Sequence, residues 1–266
     1  MASELALEGV SKDFVLRHNR ADALKLRFVG LFNPAYRERL EVLPAVRDVT
    51  FELARGEWVG IVGRNGSGKS TLLRLMAGIL APTRGRVRVR REARLVSLIE
   101  LGVGFQPELT AVENVFLQAS LFGIDSARTR RMLPRVAEFS ELGSFMDVPL
   151  KSFSSGMSMR LAFSVAMAMD PEVLLLDEVL AVGDVAFQQK CMERTERLRQ
   201  DGCTVALVTH DLALVERVCA RLIVMDGGRV VHDGDVRGGL ARYQALLSGH
   251  AAGAPPELRL ASGSRA

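Results

Sequence analysis

The spacing of apolar and polar residues along the chain changes several times, and each change predicts an element. LALEGV at 5–10 alternates as a strand does. FELARGEWVGIVG at 51–63 alternates and then turns wholly apolar, the pattern of an edge strand followed by a buried one. Residues 69–77 predict a helix closed by Gly78, and TRGRVRVRRE at 83–92 predicts a strand of alternating Arg and Val with a solvated face. Between 110 and 147 the chain is expected to be mostly helical, as AVENVFLQASLFG and then ARTRRMLPRVAEF. A further helix is predicted over 157–169, with Leu161, Ala162, Val165, Ala166 and Met169 on one side. VLLLDE at 173–178 and TVALVTH at 204–210 are short apolar runs ending in polar residues, as buried strands do. MDGGRVVHDG turns a hairpin about Gly227 and Gly228. Strands alternating with helices, with one helical insert among them, predict an α/β core carrying a helical lobe at about 108–168.

Two stretches stand apart from that pattern. Residues 16–44 are basic and irregular, yet Ala21, Leu24, Phe28 and Leu31 recur at helical spacing with Arg20 and Arg27 beside them. A helix docked on its own domain is the first expectation, and a contact with a membrane surface or a permease the second. From Ser248 the chain is small, polar and Pro-containing, and disorder is expected over 248–266.

Composition narrows the class without naming it. Of 266 residues, 48% are apolar and 25% charged, as in an ordinary folded domain. The net charge of +4 is too mild to argue for nucleic acid. Cys191, Cys203 and Cys219 form no CxxC pair and no metal-ligand spacing, so reduced structural thiols are expected. The longest apolar run, LAFSVAMAM from Leu161, is about half of what a bilayer span requires.

The chemistry lies in four short motifs. GRNGSGKS at 63–70 fits GxxxxGK[ST] completely and sits between an apolar strand and a helix, the setting that motif requires. Gly63, Asn65, Gly66, Ser67 and Gly68 would let backbone amides curl around phosphate oxygens, with Thr71 following in the helix. Lys69 would reach the β- and γ-phosphates, and Ser70 would offer a hydroxyl to Mg²⁺. Asp177 and Glu178 close VLLLDE. Alone, such a pair usually marks a surface turn; after four apolar residues, and beside a phosphate loop, Asp177 is expected to complete the Mg²⁺ shell. Glu178 is then expected to polarise the attacking water. His210 stands just past a predicted parallel strand, where ligands sit in such sheets, and is expected at the γ-phosphate. The fourth motif, FSSGM at 153–157, puts Ser154, Ser155 and Gly156 at a helix start, a second anion site in one chain.

Taken together, GRNGSGKST, FSSGM, VLLLDE and the strand-end His210 resemble the ATP-binding cassette family over about residues 5–244. FSSGM is similar to the family signature, commonly LSGGQ, with Ser155 for its first Gly and Met157 for its Gln. The resemblance implies a P-loop ABC nucleotide-binding domain over 1–247, with a RecA-like core, an antiparallel β subdomain and a helical subdomain. It also explains the second anion site. In that family two cassettes pair head to tail, and Ser154, Ser155 and Gly156 of one copy would face the ATP held by the other. Phe14 lies where an aromatic stacks on adenine. Gly183 and Asp184 match the D-loop, and Gln106 is the Q-loop candidate with Glu100 as the alternative. ELGVGFQPELTAVENVFL, KSFSSGMSMRLAFSVA and DEVLAVGDVAFQQKC are similar to ATPase subunits of bacterial polysaccharide exporters. That implies ATP and Mg²⁺ as cofactors, a second copy and membrane permease subunits as partners, and a lipid-linked polysaccharide as cargo. Its place would be the cytoplasmic face of the inner membrane. A lipid or drug exporter is the alternative.

Overall fold

The computed structural model describes residues 3–18, 39–99, 102, 104–177 and 184–249. The helix pattern at 21–31, Glu100, Glu178, Gly183 and the tail from 250 lie outside the described residues. Three strands form an antiparallel sheet in the order β2-β1-β4: β1 (Ser3–His18), β2 (Arg39–Ala54) and β4 (Arg84–Val89). Six form the central sheet in the order β5-β6-β7-β3-β8-β9: β5 (Leu95–Ser97), β6 (Val173–Asp177), β7 (Thr204–Val208), β3 (Trp58–Gly63), β8 (Arg221–Asp226) and β9 (Arg229–Gly234). The first five are parallel, and β9 returns antiparallel through the hairpin at Gly227 and Gly228. The helices are α1 (Lys69–Met76), α2 (Ala111–Leu121), α3 (Ser126–Ser140), α4 (Ser155–Ala168), α5 (Val185–Gln200), α6 (Leu212–Val218) and α7 (Val236–Gly249). The last runs two residues past the boundary expected at 247, with Ser248 Oγ bonded to Gln244 O at 3.0 Å.

Both faces of the central sheet are covered, which is why its strands read as unbroken apolar runs. Along β6 the period of two is plain. Val173 and Leu175 join a core with α1 and the three-stranded sheet, while Leu174 and Leu176 join the core on the helical side. The helical lobe is α2, α3 and α4. Its last helix departs from the one-sided stripe expected of it: every residue from Leu161 to Met169 is buried. The reason is a second neighbour. Phe163 meets Phe139 of α3 at 6.0 Å between ring centroids and Phe187 of α5 at 6.1 Å, so α4 is enclosed between lobe and core.

The arginines of β4 are exposed, as expected, and they are also paired. Arg86 and Arg88 meet Glu8, and Arg84 meets Asp13. Exposed pairs of this kind contribute about 0–1 kcal/mol each, so they set register more than stability.

All three cysteines are buried, and burial pushes each thiol up to about 12. Little thiolate exists at neutral pH. A thiol reagent at pH 8 is therefore expected to label none of them in the folded protein and all three in denaturant. Rapid native labelling would contradict this packing.

Candidate nucleotide site at the sheet edge

Parallel strands end on the same side, so the register decides which loops share an edge. Asp177 aligns with Val208, Val208 with Ile61, and Gly63 with Met225. The loop after β3, Asp177 at the end of β6 and His210 two residues past β7 therefore emerge together. That edge is the usual ligand crevice of such a sheet.

The loop is held by its own backbone. Ser67 N donates to Arg64 O at 3.1 Å, and Gly228 N of the β8–β9 hairpin donates to Ser67 O at 3.1 Å. Gly68 caps α1 with φ of 101°, and a Cβ there would lie 2.3 Å from Ala45 O, so only glycine fits. Lys69 is buried, and its ammonium donates to Gly63 O at 2.8 Å and Arg64 O at 3.1 Å. Ser67 Oγ is buried with no hydrogen-bond partner among the described residues. A buried cation resting on carbonyls and an orphaned hydroxyl suit an incoming phosphate group, which would supply acceptors to both. Asn65, Gly66 and Ser70 are exposed and Thr71 half-buried, so the mouth of the loop is open. Asp211 caps α6, taking Leu214 N at 3.0 Å, and leaves His210 exposed at the strand end.

The other expected residues lie further out. Phe14 is half-buried on β1 opposite Leu43, two positions along β2 from Ala45 and so near Gly68. The Lys12 ammonium stands 5.5 Å from its ring centroid. Ser154 is the N-cap of α4 and accepts from Met157 N at 3.2 Å; Ser154 and Ser155 are exposed and Gly156 half-buried. The first-turn amides of α4 have no carbonyl within their own helix, leaving a positive end directed outward. Gln106 has an exposed side chain and a backbone held by Asn114.

The ABC transporter family matches residues 46–181. This chain belongs to the ABC transporter family. Among its relatives, ABC transporter protein AbcA of Aeromonas salmonicida is 41% identical, over 91% of this chain and 76% of its own length. The O-antigen export system ATP-binding protein RfbB of Klebsiella pneumoniae is 38% identical, over 90% of this chain and 96% of its own. The teichoic acids export ATP-binding protein TagH of Listeria innocua is 36% identical, over 92% and 70%. Among solved structures, an ATP-binding subunit of an ABC transporter superposes with a TM-score of 0.72 at 24% identity, covering 92% of this chain and all of that one. A dimeric ATP-binding cassette in a post-hydrolysis state with ADP and Pi gives 0.66 at 25%, over 88% of this chain and 99% of that one. The fold is that of an ABC nucleotide-binding domain, and the chain is an ATPase of that family.

Two features of the ABC domain carried no mark in the sequence pattern. One is Arg160 on α4, which pairs with both Asp184 and Glu141 and lies over the Phe187 ring at 5.0 Å. It ties α4 to the start of α5. Donation from Phe187 N, with Arg160 beside it, holds the Asp184 carboxyl below its usual range. The other is an apolar cavity of about 850 Å³ between the lobe and the core. Ile79, Val89, Phe105, Leu121, Phe122 and Val165 line it, and no phosphate-loop residue does. Ile79, Leu121 and Phe122 are exposed there, an apolar patch that only the folded chain shows.

Proposed function

We propose that this chain is the ATP-hydrolysing subunit of an exporter that moves a lipid-linked polysaccharide, O-antigen-like or teichoic-acid-like, across the bacterial cytoplasmic membrane. The observation that carries the proposal is the likeness to RfbB, which extends over 90% of this chain and 96% of that protein. The protein acts as a head-to-tail homodimer on permease subunits at the cytoplasmic face. Among the described residues no helix is long and apolar enough to cross a membrane, so the membrane path belongs to the permease. The apolar cavity beside Ile79 and Phe122 is the seat for a permease segment, because it is a large apolar opening outside the nucleotide edge.

Each residue has a task in that scheme. The loop amides of 63–68 and Lys69 hold the β- and γ-phosphates, and Ser67 Oγ gains a partner. Ser70 and Asp177 are the residues that would hold Mg²⁺, which neutralises phosphate charge. Phe14 offers a ring face to the adenine. Glu178 orients a water against the γ-phosphorus and takes its proton as the bond to the β–γ bridging oxygen breaks, releasing ADP and phosphate. His210 donates to the γ-phosphate, and Gln106 lies on the loop between cavity and nucleotide edge. The first-turn amides of α4, at Ser154, Ser155 and Gly156, close on the ATP of the other copy. Closure and reopening of the pair supply the motion, so coupling rests on a two-state interface.

Depleting the protein tests the cargo. Lipid-linked polysaccharide is expected to accumulate inside the cell while surface polysaccharide falls. An unchanged distribution, with a lipid or drug retained instead, would overturn the cargo assignment. Phe122→Asp is expected to lose co-purification with the permease by about tenfold or more, as for a central interface residue, with nucleotide binding retained.

A further inference from the structure

Asn114 is wholly buried on α2, and its side chain makes four hydrogen bonds. Its Oδ1 accepts from Gln106 N at 2.7 Å. Its Nδ2 donates to Gln106 O at 3.0 Å, Leu109 O at 3.0 Å and Thr110 O at 2.9 Å. Two N–H groups are thus shared over three carbonyls. The side chain acts on residues 106–110 as a neighbouring strand would, fixing a loop that has no sheet of its own.

What that loop touches gives the arrangement its meaning. Residues 148–151 lie along it: Ala111 N donates to Val148 O at 3.2 Å, Leu150 N to Leu109 O at 3.0 Å, and Lys151 N to Pro107 O at 2.8 Å. Lys151 Nζ also meets Glu108 at 2.7 Å. Three residues after Lys151 comes Ser154, the N-cap of α4. At its other end the loop runs into Phe105, whose amide bonds to Gly102 O at 3.0 Å and which lines the apolar cavity. A path of hydrogen bonds and short lengths of chain therefore joins the cavity, through the segment that Asn114 clamps, to the start of the signature helix.

We propose that Asn114 is a positioning residue for the signature, setting where Ser154, Ser155 and Gly156 stand and so acting on the ATP held by the partner copy. The proposal rests on the assignment of those residues to the partner's nucleotide. It assigns Asn114 no contact with ATP and no role in its own subunit's phosphate loop, which is built from β3 and α1.

Asn114→Asp keeps the shape but removes both donors and sets a carboxylate oxygen against three carbonyls, which keep only their backbone partners: Leu109 N on Gln106 O, Leu150 N on Leu109 O and Asn114 N on Thr110 O. Its homodimer is expected to bind ATP within about twofold of the parent, because the phosphate loop is untouched, while kcat falls at least about tenfold, as when one preorganised donor is misplaced. The decisive measurement pairs it with a Lys69→Ala subunit. In that heterodimer the intact phosphate loop of the Asn114→Asp copy faces the intact signature of the Lys69→Ala copy. The expected rate equals that of a parent/Lys69→Ala heterodimer. A rate as low as the Asn114→Asp homodimer overturns the proposal and places the effect at the subunit's own ATP. A Ser154→Arg/Lys69→Ala heterodimer separates the underlying assumption: if it too stays inactive, the signature does not act across the pair and both ideas fall. Where Asn114→Asp does not fold, Asn114→Ser carries the same comparison. Hydrogen exchange adds an independent readout: faster exchange is expected at Leu150, Lys151 and Ser155–Met157 in Asn114→Ser. Unchanged exchange at all of them overturns the proposal whatever the rates.

Discussion

Glu178→Gln is expected to slow ATP hydrolysis by about 10²- to 10⁴-fold while leaving ATP bound. The substitution keeps the shape and removes the only function the residue is given, the uptake of a proton from water. Asp177, the residue before it in the sequence, aligns with Val208 at the end of β7, at the sheet edge that also bears the phosphate loop. ATP held without turnover keeps the two copies closed on each other. Size-exclusion chromatography with ATP is therefore expected to show a stable dimer for the variant, and with ADP a return to the smaller species. A Glu178→Gln protein that stayed monomeric and hydrolysed ATP at the parent rate would falsify the general-base assignment. The contrast with Lys69→Ala sharpens the result. That variant removes the buried ammonium and should bind ATP poorly, so it should not dimerise under the same conditions.

The residues that were legible in the sequence are those whose chemistry is local. The phosphate loop is contiguous and its motif is read whole, even though the close approach that requires glycine at 68 is made by the more distant Ala45. Strand ends were legible too, because VLLLDE and TVALVTH stop being apolar where the sheet stops. Distant neighbours were not. The complete burial of the run from Leu161 to Met169 depends on Phe139 and Phe187, which lie 24 residues before and after Phe163 in the chain. α5 has its buried residues at Phe187, Cys191, Thr195 and Leu198, a regular stripe, but the apolar Val185, Ala186 and Met192 off that stripe and the polar Thr195 on it hide the period. Asn114 shows the limit most clearly. As a sequence position it is one polar residue in AVENVFL; as a structural one it bonds four backbone atoms that a loop brings back to it. The apolar cavity is likewise assembled from α1, β4, β5, α2 and α4, and no single segment carries its pattern.

Ser154→Arg is expected to abolish hydrolysis, by at least about 100-fold, with ATP affinity of the isolated subunit unchanged. The side chain at this position caps α4 through Met157 N, so part of any loss will be the lost cap, about 1 kcal/mol of helix stability. Ser154→Asn separates the two, since it keeps a capping oxygen without adding a long cation. The Asn variant should retain most of the activity and the Arg variant none. Ser154 caps the last helix of the helical lobe, whereas Lys69 belongs to the core, and in the proposed pairing a second copy facing the first puts the amide end of α4 beside its ATP. Mixing Ser154→Arg with Lys69→Ala subunits should then restore one working site, since each copy supplies the half that the other lacks. A mixed dimer as inactive as either parent variant, with the parent/Lys69→Ala dimer active, would place the signature on its own subunit's nucleotide. The exposed first turn of α4 would then need a different ligand.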